Sequence, residues 1–192
     1  RIFGPLDMPD TDFQVTPDNK DRLTQIYQPK GIKPGSFFAA ATGKGVEVAN
    51  QAVSDRFING GNFESGGGGL VSTARDYLRF SQMMLNGGEL DGVRLLSPKT
   101  VELMTANHLG DIPMGFGRRG SGFGLGFGLV LDPGEVGEVS SAGEFNWGGA
   151  AGTRFWIDPQ EQLIGIFMVQ SIPHRTRLAG DFKVLAYQAL VE

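Results

Sequence analysis

There is no cysteine in this 192-residue chain, which excludes disulfides and thiolate metal sites. Histidine is nearly as scarce. His108 and His174 are the only two, too far apart in sequence for a ligand motif, and each is expected to face solvent or cap an element. Neither a metal nor a cofactor is expected. An excess of positive charge is also missing: the net charge of −4 argues against a nucleic-acid partner, which calls for a basic face. No apolar run is long enough to span a bilayer. The opening Arg1-Ile2-Phe3-Gly4-Pro5 lacks an initiator methionine, and the chain is expected to be the middle of something larger.

Glycine, by contrast, is abundant. There are 30 glycines, about twice the usual share, gathered at 60–69, 110–128 and 143–152. With 40% of residues hydrophobic, these clusters point to loops and close backbone contacts rather than disorder. A chain of this length is long enough for one domain with a real core.

The stretch around which the rest is arranged runs from Phe145 to Pro159. It opens glycine-rich and becomes an alternating strand from Thr153 to Ile157, which Asp158-Pro159 stops. A second apolar run from Leu163 to Val169 makes the pair a β-hairpin. Glycine weakens a strand and is kept where another backbone or a ligand comes close. The bare half of this strand is therefore either a tight crossing of sheet and helix or a ligand edge.

Residues 1–70 read as irregular, with a short strand or loop pair around Val46–Val53. Thr73-Ala74-Arg75-Asp76 fits a capping box, opening a helix with Tyr77, Leu78, Phe80, Met84 and Leu85 inward. Asn86-Gly87-Gly88 ends it. Asp91-Gly92 predicts a type I′ hairpin between Leu90 and Val93. Ser97-Pro98 opens a second helix carrying Val101, Leu103 and Met104 inward. Gly115 to Gly120 spell GxGxxG, but a helix and loop precede the motif and a strand follows it, the reverse of the dinucleotide-binding context. From Phe123 to Leu131 bulky residues alternate with glycines, predicting one strand with a bare face. The last element, with Leu178, Phe182, Leu185 and Ala189 at helical spacing, is expected to pack on that face. The class is α+β, with a mainly helical and loop lobe over 1–110 and antiparallel strands with a C-terminal helix over 111–192.

Several of these segments resemble the class C β-lactamase-like serine hydrolases. Ile2-Phe3, Pro5-Leu6, Met8 and Asp10-Thr11 are similar to that family's IFxPLGMxDT segment. Gly67-Gly68-Gly69-Leu70-Val71-Ser72-Thr73-Ala74 and Asn86-Gly87-Gly88 also match. Trp147-Gly148-Gly149 followed by Phe155-Trp156-Ile157-Asp158-Pro159 is similar to the signature strand of carboxylesterases with the β-lactamase fold. The resemblance spans the chain but only the C-terminal half of the family, and it implies a penicillin-binding-protein-like fold. Its chemistry needs a serine and a lysine in Ser-x-x-Lys and a tyrosine in Tyr-x-Asn, which together form and hydrolyse an acyl-enzyme. No serine here has lysine three positions on, none of Tyr27, Tyr77 and Tyr187 has asparagine two positions on, and no GxSxG elbow occurs. Those residues are expected in a missing N-terminal portion, and this chain alone is expected to be inactive.

The resemblance puts Trp147-Gly148-Gly149 where β-lactamases carry Lys-Thr-Gly, so these three residues are the expected substrate-binding strand. Indole offers one neutral donor in place of a cation. A carboxylate-bearing β-lactam loses a charge-assisted partner there, whereas a neutral ester or amide loses nothing. The backbone amide of Ala150 is implied as an oxyanion-hole donor. The expected function is therefore the C-terminal half of a serine hydrolase acting on small ester or amide substrates. The alternative is a non-catalytic or degenerate binding module of the same fold, with Trp147 a core aromatic beside a flexible turn.

Overall fold

The computed structural model describes residues 1–31, 45–49, 52–61, 63–114, 119–174 and 176–191. The first third is less irregular than its prolines suggest. A 3-10 helix, Pro17–Arg22, starts on a proline that has no amide to lose. Strand β1 (Tyr27–Pro29) pairs antiparallel with β2 (Val46–Val48), and helix α1 (Ala52–Asn59) follows, ended by Gly60 at φ 79°. Of the strand or loop pair expected around Val46–Val53, Val46–Val48 is a strand, and the helix has begun by Ala52. Tyr27 reaches forward to the far end of the chain: its amide donates to the Gln170 carbonyl (2.9 Å), and its own carbonyl accepts from Ile172 (2.8 Å).

Helix α2 (Ala74–Leu85) carries half of the expected capping box. The Thr73 hydroxyl accepts from the Asp76 amide. The Asp76 carboxylate does not return the bond; it accepts instead from the Asp10 amide and the Thr11 hydroxyl, both at 2.8 Å, tying the N-terminal segment to the helix. Met83 and Met84 are buried, and Leu78, expected inward, is exposed. Thr73→Ala is expected to cost about 1 kcal/mol, the usual value of such a cap, as a lowered midpoint in urea unfolding of the full-length protein.

Strands β3 (Glu89–Leu90) and β4 (Val93–Arg94) form the expected hairpin, with Asp91 at φ 50° and Gly92 at φ 79°. Helix α3 (Pro98–Met104) is capped by the Ser97 hydroxyl. It buries Val101 but leaves Leu103 exposed.

The alternating stretch after residue 120 is two strands, not one. Strand β5 (Ser121–Phe123) folds back on β6 (Gly128–Val130), because Gly126 adopts φ 98° and reverses the chain. Two of the bare positions, Gly122 and Gly124, serve the end of α3 and the turn after it rather than the last helix. A methyl group on Gly124 would lie 2.1 Å from the Met104 carbonyl oxygen, and one on Gly122 would lie 2.6 Å from Asn107 Oδ1. The short helix α4 (Pro133–Val136), capped by Asp132, leads to β7 (Phe145–Gly148), β8 (Arg154–Asp158) and β9 (Leu163–Phe167). These complete a five-stranded antiparallel sheet in the order β5-β6-β7-β8-β9, and helix α5 (Leu178–Gln188) follows. The α+β class is as expected.

The register of β8 divides the sheet's two faces. Phe155 and Ile157 join Phe127, Leu129 and Phe145 in a core with Met83 and Met84 of α2. Trp156 and Asp158 point the other way, toward α5. Trp156 lies across Gly165, where a side chain would come within 2.1 Å of the indole. Helix α5 does not bury the stripe its spacing predicts: Leu178 and Leu185 are exposed, and its buried residues are Ala179 and Lys183. Lys183 Nζ donates to Glu144 Oε1 at 2.7 Å. The Tyr187 hydroxyl lies 2.9 Å from Glu144 Oε2 and 2.6 Å from Asp158 Oδ2. A lysine outranks leucine here because its charge is matched by a buried carboxylate. Among the described residues no helix is long and apolar enough to cross a membrane.

Candidate active site

Strand β7 is covered unevenly by its neighbours. β8 pairs along its whole length, from Phe145↔Ile157 to Gly148↔Arg154. β6 pairs only at Gly128↔Asn146 and Leu129↔Phe145. Among the described residues the β6-side edge from Trp147 onward carries no strand pairing, so backbone groups there can take an extended ligand. Trp147 is 40% exposed and meets Phe123 edge-on at 5.0 Å between centroids.

Two kinds of glycine follow. At Gly148 and Gly149 an added methyl group would meet nothing closer than 3.5 Å, and both residues are exposed. Internal packing does not account for their bareness. Gly152 is different, with φ 90° and the His174 ring pressed against it.

The connection from β7 to β8 is tightly bonded. The Gly149 amide donates to the Thr153 carbonyl (2.8 Å), and the Gly152 amide donates to the Gly149 carbonyl (2.9 Å). This is the pattern of a type I turn followed by a left-handed glycine bulge. A peptide unit is planar and trans, so with the Gly149 carbonyl aimed inward at Gly152 the Ala150 N–H of the same unit aims outward. Ala150 is exposed, and among the described residues no carbonyl or side chain takes its N–H. Behind the turn, the Ala151 carbonyl accepts from the Ser171 amide (2.9 Å), and the Thr153 hydroxyl donates to the Val169 carbonyl (3.3 Å).

A groove of about 490 Å³ is lined by Gly128, Leu129 and Val130 of β6, Asn146, Trp147 and Gly148 of β7, and Ser121 and Arg154 among others. Its cation, Arg154, donates to Glu138 at 3.1 Å. The four residues singled out from the sequence, Trp147, Gly148, Gly149 and Ala150, thus stand at one end of β7 beside an open edge. Sequence reasoning missed Arg154 and His174. His108, expected to face solvent or cap, has Nε2 2.8 Å from the Leu103 carbonyl near the end of α3. His174 is half-buried, with Nε2 3.1 Å from the Thr176 hydroxyl; no spacing in the sequence announces its contact with Gly152. The GxGxxG stretch falls in part outside the described residues. Among the described residues no group of three metal-ligating side chains forms.

The family model described as Beta-lactamase matches residues 1–188. Protein Rv1367c of Mycobacterium tuberculosis is 34% identical over 185 residues, covering 90% of this chain and 42% of that protein. Lovastatin esterase of Penicillium rubens is 28% identical over 204 residues, covering 95% and 47%. Among solved structures, unliganded simvastatin synthase (LovD) from Aspergillus terreus superposes with a TM-score of 0.76 at 21% identity, covering all of this chain and 49% of that one. Likeness at that identity speaks for the fold. The chain spans less than half the length of these curated relatives.

Proposed function

The chain belongs to the β-lactamase family, and we propose that it is the C-terminal part of a serine hydrolase that cleaves small esters or amides through an acyl-enzyme. The observation that carries this is the exposed Ala150 N–H, without a partner among the described residues, beside an open strand edge that begins at Trp147. The lobes of such an enzyme would divide this chain at about residue 110, with helices and loops before it and the antiparallel strands and C-terminal helix after it.

In this reading the remainder of the protein supplies Ser-x-x-Lys and Tyr-x-Asn. The serine oxygen bonds to the substrate's acyl carbon while its proton passes to the base. The carbonyl oxygen, now negative, accepts from Ala150 and from the serine's own amide. The alcohol or amine leaves with the proton, and water then releases the acid. The substrate lies along β7 from Trp147, with the indole face as an apolar wall. Supporting a joined N-terminal portion are the sheet's edge at β9, the exposed Leu178 and Leu185 of α5, and the buried Trp156 Nε1, which has no partner among the described residues. An esterase among the relatives fits the same reading.

The full-length protein is expected to hydrolyse short-chain nitrophenyl esters at least about tenfold more efficiently than cephalosporins, since a charge-assisted hydrogen bond is worth ~1.5–3 kcal/mol. Equal kcat/KM on the two substrate types would contradict the role given to Trp147. Absence of fluorophosphonate labelling at any serine would favour the non-catalytic module instead.

A further inference from the structure

We propose that His174 is a positioning residue for the turn that presents the Ala150 amide, an inference that rests on Ala150 acting as the oxyanion donor. The loop Ala150-Ala151-Gly152 has no side chain larger than a methyl group and cannot hold itself by packing. Beyond its own two backbone hydrogen bonds, the contacts that fix it come from 169–174. Ser171 takes the Ala151 carbonyl and Val169 takes the Thr153 hydroxyl. The His174 ring stands against the left-handed glycine, so close that a methyl group on Gly152 would lie 2.2 Å from its Cγ and Nδ1.

The coupling to Ala150 runs through one peptide unit. Ring contact sets where the Gly152 backbone lies. The Gly152 amide holds the Gly149 carbonyl at 2.9 Å, and planarity of the 149–150 unit turns that hold into a direction for the Ala150 N–H. An oxyanion donor must be aimed before charge develops, so a loosened turn loses rate in the charged transition state while ground-state binding changes little. The ring acts by its shape. Among the described residues its Nε2 meets the exposed Thr176 hydroxyl, and its buried Nδ1 has no hydrogen-bond partner, so neither nitrogen is engaged with the turn through a hydrogen bond.

The test is a set of four variants of the full-length protein, read by kcat and KM on a nitrophenyl ester. His174→Ala should lower kcat about 10- to 100-fold, the cost of a misplaced group, with KM nearly unchanged. His174→Phe keeps a flat ring over Gly152 and should restore most of that loss. Ala150→Pro removes the donor, and adding His174→Ala to it should cost nothing further. Wild-type kcat in His174→Ala, failure of phenylalanine to rescue, or an additive loss in the double variant would each overturn the inference. Full turnover in Ala150→Pro would remove the donor assignment itself. The two failures are told apart by which single variant keeps its rate.

Discussion

Replacing Ala150 with proline is expected to cut turnover of the full-length protein by about 10²- to 10³-fold, the usual worth of one oxyanion-hole donor, while leaving the fold intact. The substitution suits the site. Ala150 follows Gly149 as the first of the two central positions of a type I turn, where proline is favoured. Its predecessor is a glycine, which tolerates the extended backbone that proline imposes. The group removed is an N–H that nothing inside the described residues uses. Ala150→Gly keeps that N–H and should keep most of the rate. Circular dichroism and thermal melting establish folding, and steady-state hydrolysis of a nitrophenyl ester gives kcat. More than a few per cent of wild-type kcat in folded Ala150→Pro would sink the assignment.

Local rules were legible wherever one residue decides the backbone. Asp91-Gly92 had to turn as it does because both positions need positive φ. Asp158-Pro159 ended β8 where a ladder could not continue, and Thr73 and Ser97 opened helices with their hydroxyls. Alternation misled between 123 and 131, since a period of two cannot show that Gly126 reverses the chain midway. Helical spacing misled at α5 for another reason. It ranks Leu185 above Lys183 by hydropathy, yet the buried position belongs to the residue with a carboxylate 39 positions upstream. At the candidate site, Trp147 to Ala150 could be singled out because they are contiguous and match a family motif. His174 could not, because its partner Gly152 is adjacent only after β8 and β9 have folded the chain back.

That same buried pair under α5 carries the second large effect. Lys183→Met is expected to destabilise the full-length protein by about 3–5 kcal/mol near neutral pH, the range for removing one partner of a buried ion pair. Glu144 is 0% exposed and Lys183 3%, so water cannot replace the lost ammonium. Burial pushes the Glu144 carboxyl up from the usual range, and hydrogen bonding and charge from Lys183, then bonds from Tyr187 and Asn146, pull it back. A carboxyl raised on folding contributes stability that is fully present below its unfolded value, about 4.3, and is lost as pH rises through the folded one. Methionine removes the strongest downward pull, so the folded value climbs further and the loss deepens with pH. Proton counting agrees. The Tyr187 phenol has one proton to give but lies within hydrogen-bond distance of both Glu144 and Asp158. Once the lysine is gone, protonated Glu144 can supply the second. Urea unfolding at about pH 5 and pH 8 should therefore show a smaller penalty for Lys183→Met at the lower pH. The double variant Glu144→Gln/Lys183→Met should recover most of the loss at pH 8, because no charge is then left buried without a partner. A penalty equal at both pH values, or one the double variant does not relieve, would mean that Lys183 holds α5 by packing of its stem rather than by its charge.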